Sequence, residues 1–321
     1  MAADDELARL MRVALVAPRT RVLYVPTTKA ACTTITMMVA QAEGSYRPEL
    51  ADRVVTNHLS PHQTIHAASV NGLRRLAQLP RPQVRNILTS PDWLRITSVR
   101  NPLSRVYSAW ENRFLLRAPG FARRLADTAP DAITNGRLDL TATFNNFVSA
   151  FAANTAGFMR DHHFMTQTYF IRRDLVDYNH VVRVEAPGAL ADLAKLLSAR
   201  SDAGVSIEPQ RLNEGLGITL PLVCDTSRAD ILIHTYQRDF DELEYSPHET
   251  RAKLSANVTP YLLSETETRL LRQLRGAIQR SLDITDATRL RRGVGFRMLR
   301  TFYVMVHKMS RRRITMPQHY M

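Results

Sequence analysis

The chain has 321 residues, 45% of them apolar and 23% charged, with a formal charge of +13; this is a globular composition with room for one large domain or two ordinary ones. No stretch approaches the roughly 18 apolar residues that cross a bilayer, and two cysteines, Cys32 and Cys224, form no disulfide framework. The opening Met1-Ala2-Ala3-Asp4-Asp5-Glu6 is acidic where a secretory signal is basic, so secreted, fibrous, disordered and membrane-spanning classes are disfavoured and a cytoplasmic location is expected.

The first predicted element is a buried strand, Arg21-Val22-Leu23-Tyr24-Val25, which meets Pro26, a loop and a helical pattern from near Thr33. A second strand spans Leu94 to Val99 and is bounded by Pro102, with helical spacing from Leu103 to about Leu116. Phe144, Phe147, Val148 and Phe151 fall at i, i+3, i+4 and i+7, one face of a helix. A third short strand is predicted over Val181–Val184, then helices near Leu190–Leu197 and Ile231–Leu243. Past a boundary near Ser246-Pro247 the pattern is helical, including Glu265–Ser281 and Gly293–Ser310. Strands followed by helices predict an α/β fold with a P-loop-like, mainly parallel sheet flanked by helices. The expected division is a domain over residues 1–250 and a basic helical C-terminal extension over 251–321.

The charge is unevenly placed. Nine of the 43 Lys/Arg lie in residues 287–321, which hold no acid, so residues 1–286 carry 34 basic against 30 acidic side chains. A body of net charge +4 is not the footprint of a nucleic-acid binder. In the tail, Leu299, Phe302, Val306 and Met309 form an apolar stripe flanked by Arg297, Arg300, Lys308 and Arg311 to Arg313. Such a helix packs on the core, meets a partner, or contacts an anionic membrane surface.

Two segments carry chemistry. Pro26-Thr27-Thr28-Lys29-Ala30-Ala31-Cys32-Thr33-Thr34 takes a strand through a small-residue loop into a helix start. The unpaired N–H groups and positive dipole of a helix end attract an anion. Lys29 adds a charge, Ala30 and Ala31 allow close approach, and Thr33 and Thr34 add hydroxyl donors. The two glycines and the Gly-Lys-Ser/Thr order of a nucleotide-triphosphatase loop are missing. In Val99-Arg100-Asn101-Pro102-Leu103-Ser104-Arg105-Val106-Tyr107-Ser108-Ala109-Trp110, Arg100 stands at the carboxyl end of a strand, where open α/β sheets bind ligands. Ser108 lies nearly two helical turns further on, and an Arg with a hydroxyl can hold a second phosphate.

Together these segments resemble the paired signatures of the carbohydrate sulfotransferases, the family 2-like group, in a bacterial-type spacing. The resemblance implies that the first loop (Lys29, Ala30, Ala31, Cys32, Thr33, Thr34) binds the 5′-phosphosulfate of 3′-phosphoadenosine-5′-phosphosulfate (PAPS). It implies likewise that Arg100 and Ser108 bind the 3′-phosphate. Asp161-His162-His163-Phe164-Met165-Thr166-Gln167 is similar to the family's His-Trp-x-Pro-Gln segment, with Phe164 for Trp and Thr166 for Pro. Val182-Arg183-Val184-Glu185 and Tyr236 to Tyr245 resemble its later strand and closing helix. The resemblance covers roughly Arg21 to Tyr245.

Sulfuryl transfer needs a cation at the leaving oxygen and a base for the acceptor hydroxyl. Lys29 is the expected cation. Ile65-His66 resembles a Val/Ile-His pair of bacterial members, which makes His66 the expected base, with His163 as competitor or acceptor ligand and Glu185 as a substitute. His58, His62 and His66 are spaced by four, but Ser60-Pro61 interrupts a helix there and no acidic or Cys ligand completes a zinc set, so no metal is expected. Cys32 reads as a small packing residue. The expected activity is transfer from PAPS to a hydroxyl of a carbohydrate or glycolipid. The alternatives are an ATP-dependent kinase-like transferase and a non-catalytic nucleic-acid- or membrane-binding protein. Nucleic acid is not an expected partner. Peripheral contact of the tail with an anionic membrane, at its inner face, is.

Overall fold

A computed structural model of the chain describes residues 2–54, 61–118, 121–201, 204–210 and 215–284. In chain order the elements are α1 (Ala2–Val13), β1 (Leu15–Ala17), β2 (Val22–Val25), α2 (Cys32–Ala42), α3 (Ala68–Asn71), β3 (Arg74–Arg75), α4 (Arg81–Thr89), β4 (Leu94–Val99) and α5 (Pro102–Trp110). There follow β5 (Ala132–Thr134), β6 (Arg137–Asp139), α6 (Leu140–Ala153), α7 (Thr155–Phe158), α8 (Gln167–Ile171), β7 (His180–Arg183), α9 (Ala189–Arg200), α10 (Thr226–Thr235), α11 (Gln237–Glu242) and α12 (Pro247–Ala252). Residues 265–284 form a further helix.

The central sheet has five strands in the order β3-β1-β2-β4-β7. β2, β4 and β7 pair in parallel, with Val25 opposite Thr97 and Val99 opposite Arg183. β1 pairs antiparallel with both β2 and β3. The sheet is therefore mixed, a correction to the mainly parallel sheet expected. The parallel strands are the three that the sequence predicts. β1 and β3 are three and two residues long, too short to display a period. All four residues of β2 are buried because helices cover both faces. Val22 and Tyr24 pack with Ile35 and Met38 of α2 and Leu193 and Leu197 of α9. Leu23 and Val25 face the other way, against Leu10 of α1 and Ile87 of α4.

A third, aromatic-rich layer sits beyond the sheet. Trp110 of α5, Phe144, Phe147 and Phe151 of α6, Phe158, Phe164 and Tyr236 are all buried in one cluster. The helix predicted over Leu103–Leu116 passes at its end into a π-helical turn, Glu111–Leu115, and the one predicted over Ile231–Leu243 breaks at Tyr236 into α10 and α11. Residues after Ser246 continue onto the same core. The Leu140 amide donates to the Tyr261 carbonyl at 2.9 Å and the Leu263 amide to the Leu138 carbonyl at 2.9 Å, while Leu263 and Leu271 join the aromatic cluster. The helix expected over Gly293–Ser310 lies outside the described residues.

Candidate active site

The parallel pairing brings the carboxyl ends of β2, β4 and β7 to one edge of the sheet, and the loops that leave them form the site. Between β2 and α2 the chain turns without glycine: Lys29 and Ala31 both adopt left-handed backbone, φ 63° and 56°. Such a conformation costs an L-residue roughly 1–2 kcal/mol, so surrounding contacts must hold it. Arg105, buried on α5, supplies them. Its Nε donates to the Thr28 carbonyl at 2.8 Å, its Nη2 to Thr28 Oγ1 at 3.0 Å, and its Nη1 to the Met165 carbonyl at 2.7 Å. Thr28 Oγ1 in turn donates to the His162 carbonyl at 2.8 Å. α2 then begins at Cys32 with no side-chain cap, the arrangement in which first-turn N–H groups look for an outside acceptor.

Lys29 is half-buried in this turn. Desolvation, with repulsion from Arg113 and Arg100, lowers its pKa to about 8 against the opposing pull of Cys32 and Glu111. Arg100, on the next strand end, donates from Nη1 to the Lys29 carbonyl at 3.3 Å. Its backbone is fixed on both sides by buried Gln167: the Arg100 amide donates to Oε1 at 2.8 Å, and Nε2 donates to the Arg100 carbonyl at 2.7 Å. Asn101 caps α5, its Oδ1 accepting from the Leu103 and Ser104 amides at 3.1 and 3.2 Å, and Pro102 fills the first turn. Glu185, past the end of β7, accepts from the Asn101 amide and from Tyr245 Oη. It ties this loop to Tyr245 and the end of β7.

The expected first-loop residues thus lie in one turn and helix start. Thr34 Oγ1 donates to the Gln210 carbonyl at 3.1 Å, and Thr33 Oγ1 pairs with His66 Nε2 at 3.2 Å. His66, at the end of the 3-10 turn Pro61–His66, is exposed. Partial desolvation opposes its charge, but hydrogen bonding to Cys32 and the charge on that thiol raise its pKa. Burial likewise pushes the Cys32 thiol up, and the pairing with His66, aided by Lys29, outweighs it and brings the pKa below the ordinary value. Cys32 is therefore a polar partner of the loop as well as a small residue in it. Ser108 is half-buried on α5, and its side chain makes no hydrogen bond among the described residues. His58 and the side chain of His62 lie outside the described residues.

The second histidine sits in a network that the sequence leaves hidden. Phe158 and Phe164, both buried in the aromatic layer, clamp the segment between them, and Tyr236 Oη donates to the Phe164 carbonyl at 2.6 Å. This fixes Asp161 and His163, whose Nδ1 lies 2.8 Å from Asp161 Oδ1. Buried Arg113, from the π-helical turn, places Nη2 2.8 Å from His163 Nδ1 and Nε 3.7 Å from Asp161 Oδ2. Burial drives the His163 pKa well below its ordinary value, with Arg113 adding to the effect against the Asp161 bond. His162, lowered to about 4 by desolvation, completes a group of three residues whose ligand atoms lie within 4.8 Å of one another. The guanidinium already beside Asp161 makes that group a poor fit for a cation.

Arg113 could not be found from sequence, because it belongs to no motif and reaches the site only through the continuation of α5. Arg105 stands inside the second signature, yet nothing in its spacing says that it props the first loop.

The sequence model of the sulfotransferase family matches residues 12–246. The chain belongs to the sulfotransferase family. No curated protein and no solved structure matches it. The family match of this sulfotransferase takes in both strand-end loops, His66, Arg113 and the Asp161–His163 pair, so the geometry above lies within the region that defines the family. Membership makes the protein a transferase of sulfuryl groups.

Proposed function

We propose that the protein moves a sulfuryl group from PAPS to a hydroxyl of a carbohydrate or glycolipid acceptor. The observation that carries this reading is the junction of the two loops, where Arg100 Nη1 meets the Lys29 carbonyl at 3.3 Å. Two cationic side chains from adjacent parallel strand ends suit a donor with phosphates at both ends of its nucleoside. The residues fit that donor: the uncapped start of α2 offers N–H groups, and Arg100 is fixed by Gln167. Lys29 with residues 30–34 would hold the 5′ end, and Arg100 with Ser108 the 3′-phosphate. When bound, PAPS supplies an activated sulfuryl group on a phosphate leaving group.

Lys29 provides positive charge where the leaving oxygen gains negative charge. A lysine with a pKa of about 8 is protonated at neutral pH. His66 takes the acceptor proton: it is exposed and adjoins Thr33, and an imidazole is the side chain suited to accept a proton near neutral pH. His163 is a positioning residue. Held by Asp161, it fixes Arg113, which adds positive potential beside Lys29. Incubation with sulfur-labelled PAPS and a panel of saccharides should label an acceptor, and phosphate-labelled ATP should not. Label from ATP alone would contradict the reading.

Residues 287–321 lie outside the described residues, and their composition supports a separate proposal of peripheral contact with an anionic leaflet on the cytoplasmic side. Full-length protein should co-sediment with anionic vesicles at low salt and lose that binding when residues 287–321 are deleted. A basic residue near such a leaflet contributes about 1 kcal/mol.

A further inference from the structure

The family match ends at residue 246, and the chain passes directly into α12. Ser246 caps this helix, its Oγ accepting from the Glu249 amide at 3.1 Å, and Pro247 fills the first turn. A helix of six residues does not hold its shape alone, so its neighbours must place it. Arg251 Nε donates to Asp230 Oδ1 of α10 at 2.8 Å, and the Thr226 amide at the start of α10 donates to the Ser255 carbonyl at 3.1 Å. Leu254, just past the helix, packs against the aromatic layer.

Thr250 is the buried residue of α12, and its hydroxyl is used twice. It donates to the Ser246 carbonyl one turn back at 2.8 Å and accepts from Asn101 Nδ2 at 2.7 Å. The first bond commits the proton, which leaves the oxygen lone pairs to Asn101. Asn101 Oδ1 meanwhile accepts from the Leu103 and Ser104 amides. One side-chain amide is thus bonded at both ends, to the start of α5 and to α12. With Thr250 in place, a single orientation of that amide satisfies every group; a flipped one would set Oδ1 against the Thr250 oxygen and its NH2 against two backbone N–H groups.

Asn101 directly follows Arg100. The Arg100 carbonyl and the Asn101 amide belong to one peptide unit, which Gln167 and Glu185 hold from its two sides. The Asn101 side chain is a further hold on the same corner of the chain, and Thr250 anchors its far end. A cationic side chain that receives a phosphate gains affinity when the backbone beneath it is already fixed, because less freedom is lost on binding. We infer that Thr250 is a positioning residue for donor binding: from beyond the family region it fixes the Asn101 side chain, and through it the corner that aims Arg100 at the 3′-phosphate. The role in binding rests on the transfer reading above; the hold on Asn101 does not.

Two variants of the full-length protein test it. Thr250→Val keeps the shape and removes the hydroxyl, and Thr250→Ser keeps the hydroxyl. In calorimetric titrations, Thr250→Val should bind 3′-phosphoadenosine-5′-phosphate (PAP) about three- to tenfold more weakly, the worth of one hydrogen bond, and AMP as the parent does. Thr250→Ser should restore the parental affinity for PAP. In an Asn101→Ala background Thr250→Val should add nothing, because the two residues act through one bond. Amide hydrogen exchange reads the hold on Asn101 without any ligand: the Leu103 and Ser104 amides should exchange faster in Thr250→Val and at the parental rate in Thr250→Ser. An equal loss of PAP and AMP affinity, or lowered thermal stability with the PAP-to-AMP ratio intact, would make Thr250 a structural residue only and overturn the inference. So would parental affinity and exchange in Thr250→Val, or a loss that adds to that of Asn101→Ala. Equal affinity for PAP and AMP in the unaltered protein would instead overturn the donor reading, and the binding role of Thr250 with it, while the exchange rates still decide whether Thr250 holds Asn101.

Discussion

The loops after β2 and β4 are built from the same parts on neighbouring parallel strands, yet they settle their backbones in opposite ways. The β4 loop has its backbone groups bonded and its helix capped. Asn101 caps α5, Pro102 removes an N–H, Gln167 takes both polar groups of Arg100, and Glu185 takes the Asn101 amide. The β2 loop is propped from outside by Arg105 and leaves its helix start uncapped, with Lys29 and Ala31 in left-handed backbone. A loop whose backbone is already bonded offers a ligand only its side chain, here Arg100. An uncapped loop offers backbone and side chains together. On the proposed reading, the remote phosphate of the donor falls to the β4 loop and the reacting end to the β2 loop.

Substitutions around the β2 loop should therefore strike turnover, and those around the β4 loop should strike affinity and folding. The largest effect is expected at His66, which rests on Thr33. His66→Ala should slow turnover by roughly 10²–10⁴-fold, the usual worth of a general base, with PAP affinity nearly intact by calorimetry. A loss on that scale in His163→Ala, with His66→Ala fully active, would reverse the two roles.

Lys29 comes next. Lys29→Ala should cost roughly 10²–10³-fold in turnover, comparable to removing one electrostatic donor at a reacting oxygen. Because its pKa is lowered to about 8, the charge is present below that pH and lost above it. The pH profile of kcat/KM should accordingly fall above about pH 8, and Lys29→Arg should remove that alkaline limb. The same shift affects folding with the opposite trend. The unfolded chain keeps this proton up to the ordinary lysine pKa, so the stability contribution of Lys29 rises with pH from about 8 until the unfolded lysine titrates.

The smallest effect on chemistry is expected from Gln167→Leu. This buried side chain makes two hydrogen bonds to the Arg100 backbone, and the loss leaves polar groups unsatisfied at a cost of about 1–3 kcal/mol. Thermal denaturation should show the destabilisation, and PAP should lose affinity while AMP does not. Equal loss for both nucleotides would break the contrast between the loops.

How far the sequence discloses this arrangement follows from the range of each signal. β2, β4 and β7 are legible because each is a short apolar run, the first two closed by prolines, and the α6 face is legible from its phenylalanine spacing. Both anion loops are legible because their residues are contiguous. The roles of Arg105, Arg113 and Asp161 are not, since each acts across the chain: Arg105 on Thr28, Arg113 on His163 from fifty residues away. The π-helical turn that aims Arg113 leaves no mark in the apolar period. β1 and β3 escape notice because their two or three residues take their place from pairing rather than from pattern.

The central claim is that Lys29 and Arg100 receive the two ends of one nucleotide. Calorimetric titration of the protein with PAP and with AMP tests it most directly, since the two differ only in the 3′-phosphate. Charge-assisted contacts are worth about 1.5–3 kcal/mol each, so PAP should bind at least about tenfold more tightly, and Arg100→Ala should erase the difference while sparing AMP. Equal affinity for PAP and AMP in the unaltered protein would contradict the claim.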